Sequence, residues 1–369
     1  MPSVDDAAAR ARRLLSSRPA EAGGAATESA FARVGPPDAA DAAAIARRLK
    51  QLRGHENSGS SELDRLAASI VGRAQAAMQQ LDNGASVGAI ADADKVALES
   101  VILTRGRPAL AVEGQRIEAI DAAKHPGSDF WRIPLNDHEA QLVRVAGATG
   151  AVTVRDRLTG AEEIRGTAWL IRGDLVITNR HVIFPDRGVP PAKRRADLRT
   201  EATLKADFEV IIDFAYDDGP ARTSSCRVVG IPYISEDADA VDVAILRISD
   251  TTIDGGPLTL ERRDSASKQL YLFGHPGPLA EIPADVQAVF GTPNGRKRVS
   301  FGEVMPADGA QRGELIHDAS TIGGFSGGCV VAFGSSDVAA LHYYGDPLRG
   351  NRAITAQTLR AHAAGTFFQ

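Results

Sequence analysis

The run Gly323-Gly324-Phe325-Ser326-Gly327-Gly328 constrains this chain more than any other segment. Glycines on both sides of a serine permit backbone angles that a Cβ forbids, so a strained turn can expose the hydroxyl. Only 43 residues follow Ser326 in a chain of 369. Any side chains that act with it must lie upstream.

The run also satisfies the G-x-S-x-G elbow of the α/β-hydrolases, whose serine precedes its acid and then its histidine. Too little chain remains to complete a doubly wound sheet, which excludes that architecture. Upstream, Gly166 to Ile171 and Leu175 to Ile183 read as two apolar strands joined by Arg172-Gly173-Asp174. The second closes on Thr178-Asn179-Arg180-His181-Val182. His55, His125, His138, His275, His317 and His362 lie in polar or turn-like surroundings, so His181 is the candidate base.

A carboxylate that orients an imidazole belongs between His181 and Ser326. Asp242 opens the apolar run Val241 to Ile248, whereas Glu236, Asp237 and Asp239 fall in a charged, turn-like stretch. An acid at the mouth of an apolar strand needs a partner to offset its desolvation, and His181 can supply one.

These segments, T-N-R-H-V, D-V-A-I-L and G-G-F-S-G-G in the order His, Asp, Ser, resemble the trypsin-like, chymotrypsin-fold serine peptidases. The resemblance covers about Leu142 to the C-terminus. It implies an all-β catalytic domain of two six-stranded-type antiparallel β-barrels with the active site between them. It also implies catalysis by His181, Asp242 and Ser326, with an oxyanion hole from the backbone N–H groups of Gly324 and Ser326. One departure stands out. Digestive members carry an aspartate before the serine, which pairs with a newly cut N-terminus, and Phe325 cannot form that ion pair.

His317 to Ser326 is similar to the D-x-S-T-x-G-G-x-S-G run of bacterial glutamyl endopeptidases, and Val338 to Gly345 resembles their G-I-H-x-G strand. The resemblance implies that Thr321 and His342 line the primary specificity pocket and receive an acidic side chain before the cut. No acid stands at Ser320, Thr321 or Ile322, against a preference for Lys or Arg.

Further apolar or alternating runs fall at Gln141 to Val154, Glu209 to Phe214, Cys226 to Ile231, Gln269 to Phe273, Arg298 to Val304, Cys329 to Phe333 and Val338 to Tyr344, with turn residues between them. They divide a peptidase domain at 141–369 into barrel 1, about 141–250, and barrel 2, about 266–369. His275 reads as a structural turn residue. Pro185 to Arg195, rich in proline and locally basic, reads as an exposed loop.

The first 140 residues differ and are expected to stay outside the barrels. Residues 1–58 are rich in Ala and Arg, with helical propensity at Asp5 to Ser16 and Asp38 to Leu52 and a flexible link at Ala20 to Pro37. Residues 59–140 read as a small, mainly α-helical module. Leu63, Leu66, Ile70, Ala74, Ala77 and Leu81 form one apolar face stopped by Asn83-Gly84, Asp92 to Thr104 forms a second helix, and Ala109 to Ile117 a hairpin. An adaptor or regulatory role that engages a protein partner is expected. Trypsin-like modules with helical extensions occur in bacterial defence systems, a likeness of layout alone.

Net charge is −5, and one short basic cluster without aromatics does not argue for nucleic acid. No phosphate loop, CxxC pair or HExxH is present, so neither cofactor nor metal is expected. No segment reads as a signal peptide or membrane span, and Cys226 and Cys329 are the only cysteines, which points to free thiols in the cytoplasm. The expected function is a serine endopeptidase acting on protein or peptide substrates. The alternative is a catalytically silent, peptidase-derived protein-binding module.

Overall fold

The computed structural model describes residues 60–85, 107–114, 116–121, 128–186, 188–222, 224–249, 253–262, 267–277, 294–305, 313–345 and 350–368, with scattered positions between 39 and 101. The expected helix at Asp5 to Ser16 and the link at Ala20 to Pro37 lie outside them.

Helix α1 (Ser60–Asp82) follows its apolar repeat. Leu63, Ala67, Ile70, Ala74, Ala77 and Leu81 are buried with Ile45, Ile90, Leu98 and Val101 in a core of their own. Leu66, expected on that face, is 40% exposed, and Ala67 takes its place. Three- and four-residue steps from Leu63 reach 67 and 70 on one face, and 66 falls at its edge. The N–H of Gly84 caps the Leu81 carbonyl at φ +89°. Described positions within 38–52 and 92–104 are helical.

Part of the segment expected to stay outside the barrels joins the second one. Strand β1 (Ala109–Glu113) turns into β2 (Arg116–Ile117), and β1 pairs with Arg298–Ser300 of the second sheet. Trp131 is fully buried between Phe301 and Phe333, at centroid distances of 5.4 and 5.8 Å. The described residues between 107 and 140 therefore contribute to that barrel's wall and seam. Helices α2 (Arg132–Asp137) and α3 (Glu139–Gly147) follow. The strand expected from Gln141 begins only at Thr149, because Leu142, Val145 and Ala146 recur at helical spacing and bury one face.

Barrel 1 comprises β3 (Thr149–Asp156), β4 (Glu162–Arg172), β5 (Leu175–Thr178), β8 (Phe208–Asp213), β9 (Ser225–Ile234) and β10 (Ala244–Ile248), antiparallel and closed by the β9–β10 pairing. Between β5 and β8, β6 (Ala192–Arg194) pairs with β7 (Ala202–Leu204). The segment read as an irregular loop thus holds a short strand. Pro191 lacks a donor, but its carbonyl accepts from the Lys205 N–H.

Barrel 2 comprises β11 (Gln269–Gly274), β12 (Arg298–Glu303), β13 (Glu314–His317), β14 (Cys329–Ala332), β15 (Val338–Tyr344) and β16 (Asn351–Thr355), in the order β13-β16-β15-β14-β11-β12. A bridge between Val304 and His317 joins its ends, so the double-barrel expectation holds.

Many strands are apolar on both faces because both faces are covered. In β4, Ala168 and Leu170 point into barrel 1 while Trp169 and Ile171 enter the core between the barrels. In β11, Leu270 and Leu272 fill barrel 2 while Tyr271 and Phe273 join that same seam. Lys297 is buried in the seam, its Nζ donating to the Ala146 and Phe214 carbonyls at 2.7 Å each. Burial pushes its ammonium down to about 7. Trp131→Ala should lower stability by about 3–5 kcal/mol, read as a shift in the urea midpoint. A chain beginning at Leu142, without β1 and Trp131, should show no cooperative unfolding transition by circular dichroism.

Candidate active site

The register of barrel 1 brings the first two site residues together. Strand β10 pairs antiparallel with β5, Ala244 facing Thr178, so Asp242 extends to the turn that follows β5. That turn is helix α4 (Arg180–Ile183), entered through Asn179 in an extended conformation. Asn179 Nδ2 donates to the Asp242 carbonyl at 2.9 Å, and the His181 backbone N–H to Asp242 Oδ1 at 3.1 Å. The ring Nδ1 of His181 lies 2.5 Å from Asp242 Oδ2. An ionised carboxylate only accepts, so Nδ1 carries the proton and Nε2 is left as a base.

Burial pushes the Asp242 carboxyl up, but the hydrogen bond from His181, the attraction of its imidazole when protonated and Arg180 nearby outweigh it and hold the pKa below the usual value. Arg180 is a residue that the sequence alone does not single out. Its Nη1 donates to Ser235 Oγ at 3.1 Å and to the Glu236 carbonyl at 2.5 Å, tying down the loop that leads to Asp242. His362 holds the same loop through Asp239, at 2.8 Å.

Ser326 approaches from barrel 2. Gly166 marks the contact: a Cβ there would lie 2.6 Å from Val182 Cγ2 and 2.9 Å from the Ser326 carbonyl oxygen. The serine loop thus passes beside the turn that carries His181. Thr167, also unsignalled in the sequence, is the junction. Its N–H donates to the Ser326 carbonyl at 2.8 Å and its Oγ1 to the Gly324 carbonyl at 2.7 Å. Oγ1 also accepts the His275 N–H at 3.0 Å.

The peptides around Ser326 are oriented by their carbonyls. Gly323 O accepts from the Gly277 N–H at 2.9 Å and Phe325 O from the Gly328 N–H at 2.8 Å. In a trans peptide the N–H points the opposite way, so those of Gly324 and Ser326 turn from these contacts. Neither has an acceptor among the described residues. Gly324 has φ +97°, and a Cβ there would collide with the His275 carbonyl oxygen. Phe325 is buried in the barrel 2 core with Leu270, Leu272 and Val330, which anchors the loop without an ion pair.

Thr321 and His342 flank the same region. The His342 main chain brackets the glycines after the serine, accepting from the Gly327 N–H at 2.8 Å and donating to Gly328 O at 2.9 Å. Its Nδ1 is 3.2 Å from Nε2 of His317. His317 was expected in polar, turn-like surroundings; it is instead fully buried in β13, paired with Asn351 of β16. Burial pushes His317 down to about 4 despite Asp318, and pushes His342 well below its ordinary value, with His317 and His181 adding to the effect. Two neutral imidazoles thus share a hydrogen bond. Thr321 Oγ1 is shielded from solvent and has no partner among the described residues. His275, read as structural, is buried with Nδ1 3.0 Å from the Gly295 carbonyl. No group of three His, Cys, Asp or Glu among the described residues is placed to hold a metal ion.

A family model, the trypsin-like peptidase domain, matches residues 166–341. Among solved structures, the serine endoprotease from Yersinia pestis is similar at 18% identity and a TM-score of 0.40, over 63% of this chain and 66% of that one. The chain therefore spans slightly less than two thirds of that endoprotease. No curated protein matches. The domain match runs from β4, ahead of His181, to β15, beyond Ser326, so this part of the chain is a trypsin-like peptidase domain.

Proposed function

We propose that this chain is an active serine endopeptidase in which Ser326 attacks a peptide carbonyl, His181 takes its proton, and Asp242 stabilises the imidazolium. The observation that carries this reading is the 2.5 Å contact between His181 Nδ1 and an Asp242 carboxyl held ionised. The same proton then goes from His181 Nε2 to the leaving amine, and water hydrolyses the acyl-enzyme by the reverse sequence. The N–H groups of Gly324 and Ser326 would receive the developing oxyanion, each worth about 3 kcal/mol in the transition state. Fixed by Thr167 and Phe325, they need no reorientation when charge develops.

The primary pocket would take an acidic side chain. The Thr321 hydroxyl, unpartnered among the described residues, and the buried His342 imidazole are the donors it would use. A neutral imidazole pair receives an anion while leaving no permanent charge buried when the pocket is empty. The helical region around α1, with a core separate from the barrels, would serve as a regulatory or partner-binding module. Among the described residues no helix is long and apolar enough to cross a membrane. Two free, buried thiols suit a reducing compartment such as the cytoplasm.

A fluorophosphonate probe should label the wild type at Ser326, with labelling abolished in Ser326→Ala. In peptide hydrolysis, Ser326→Ala or His181→Ala should reduce kcat by roughly 10⁶-fold and Asp242→Asn by roughly 10⁴-fold. A wild type that binds peptides but is never labelled would favour the silent module instead. Cleavage of a denatured proteome should place Glu or Asp before the cut, and Thr321→Val or His342→Gln should flatten that preference by about 10-fold or more. Neutral or basic residues there in the wild-type profile would remove the acidic pocket.

A further inference from the structure

Arg107 lies outside the residues matched by the peptidase-domain model and belongs to the segment expected to form a separate module. Its side chain is nevertheless fully buried in barrel 2. Nε and Nη2 hold the two carboxylate oxygens of Asp318 at 2.7 and 2.8 Å, and Nη2 reaches Glu303 Oε2 at 3.1 Å. Burial alone would lower the arginine pKa, but Asp318 and Glu303 reverse the effect, so the guanidinium stays charged. Its main chain engages the same segment, since Ser320 Oγ donates to the Arg107 carbonyl at 2.5 Å.

The positions it grips matter for the site. Asp318 and Ser320 alternate in sequence with His317, Ala319 and Thr321 in the segment that leaves β13, bends at Ala319 and leads to Ser326. The side chains of His317 and Thr321 serve the proposed pocket, while Asp318 and Ser320 face the arginine behind it. Arg107 is itself fixed, because β1 begins two residues later on β12 and the Phe301 N–H donates to the Pro108 carbonyl at 3.2 Å. Asp318 Oδ1 also accepts the Glu303 N–H at 2.7 Å, which ties the segment to β12.

We propose that Arg107 is a positioning residue for substrate recognition: its fork fixes the 317–321 wall, and its charge neutralises Asp318 behind the acidic-side-chain pocket. The proposal rests on the pocket reading above. Without the guanidinium, a bare carboxylate beside His317 would oppose an incoming carboxylate, and the wall would lose its two-point attachment. A lysine keeps one charge but cannot fork between Asp318 and Glu303.

The test uses the full-length chain, wild type and Arg107→Lys, with two peptides that differ only in Glu or Gln before the cut. For Arg107→Lys, KM for the Glu peptide should rise by roughly 10-fold while kcat changes by less than about 3-fold, so the Glu-to-Gln preference collapses. Imidazole NMR signals of His317 and His342 should shift, and Ser326 should still react with a small fluorophosphonate that does not fill the pocket. Arg107→Met should be worse for the Glu peptide, and adding Asp318→Asn should recover part of the loss by removing the bare charge.

An Arg107→Lys variant with wild-type thermal unfolding and an unchanged Glu-to-Gln ratio overturns the proposal and leaves the pocket reading intact. A wild type without acidic preference, insensitive to Thr321→Val and His342→Gln, refutes the pocket reading itself, and the role of Arg107 falls with it.

Discussion

The candidate constellation is divided between two barrels, and the hydrogen bonds around Thr167 set how the halves meet. From one edge of β4, Thr167 binds the Gly324 and Ser326 carbonyls and receives the His275 N–H, while its own carbonyl accepts from Thr178 Oγ1 at 2.7 Å. Thr178 ends the strand that leads to His181, and His275 follows β11 of the other barrel. One residue, through its main chain and its hydroxyl, thus references the histidine turn and the serine loop to each other. Each bond alone contributes about 1 kcal/mol. Their joint effect is geometric, because proton transfer between groups on separate barrels tolerates little misplacement.

That junction is only as rigid as the seam beneath it. The seam is a core shared by both barrels and by residues that precede them: Trp169 from β4, Tyr271 and Phe273 from β11, Trp131 from the N-terminal segment. Burial on both sheet faces explains the near-continuous apolar strands, and it also removes freedom of register. A one-residue slip in β4 would exchange Trp169 with Ala168 and put an indole inside the small barrel. Lys297 adds directional bonds to an otherwise apolar contact, spanning the end of α3 and the residue that follows β8.

The sequence pattern reveals the parts whose chemistry is local. Apolar runs marked most strands, and a serine among glycines, a histidine ending a strand and an acid beginning one pointed to His181, Asp242 and Ser326, of which the first two are in contact. Features that depend on distant pairing were hidden. His317 looked like a turn residue because Asp318 and Ser320 follow it, yet their polarity is answered by Arg107, more than 200 residues earlier. The hairpin at Ala109 to Ile117 was recognised, but nothing in its own residues says that β12 is its partner. Helix α3 was read as strand because Leu142, Val145 and Ala146 satisfy an apolar run before they reveal helical spacing. Thr167 carries no sequence signal at all; its importance comes from what faces it.

Phe325 changes how such a site can be controlled. Where an aspartate before the serine shapes the loop by pairing with a new N-terminus, loop order follows a cleavage event. Here the ring is buried in the barrel 2 core, and the loop's carbonyls are held by Thr167, Gly277 and Gly328. Apolar burial of a phenylalanine contributes about 2–3 kcal/mol and is insensitive to chain termini. On the proposed mechanism, the oxyanion donors are therefore set as soon as the barrels fold. On that mechanism any control would act on access to the cleft or on the N-terminal residues that pair with barrel 2, because Gly323 to Gly328 carry no charged side chain for a regulator to release.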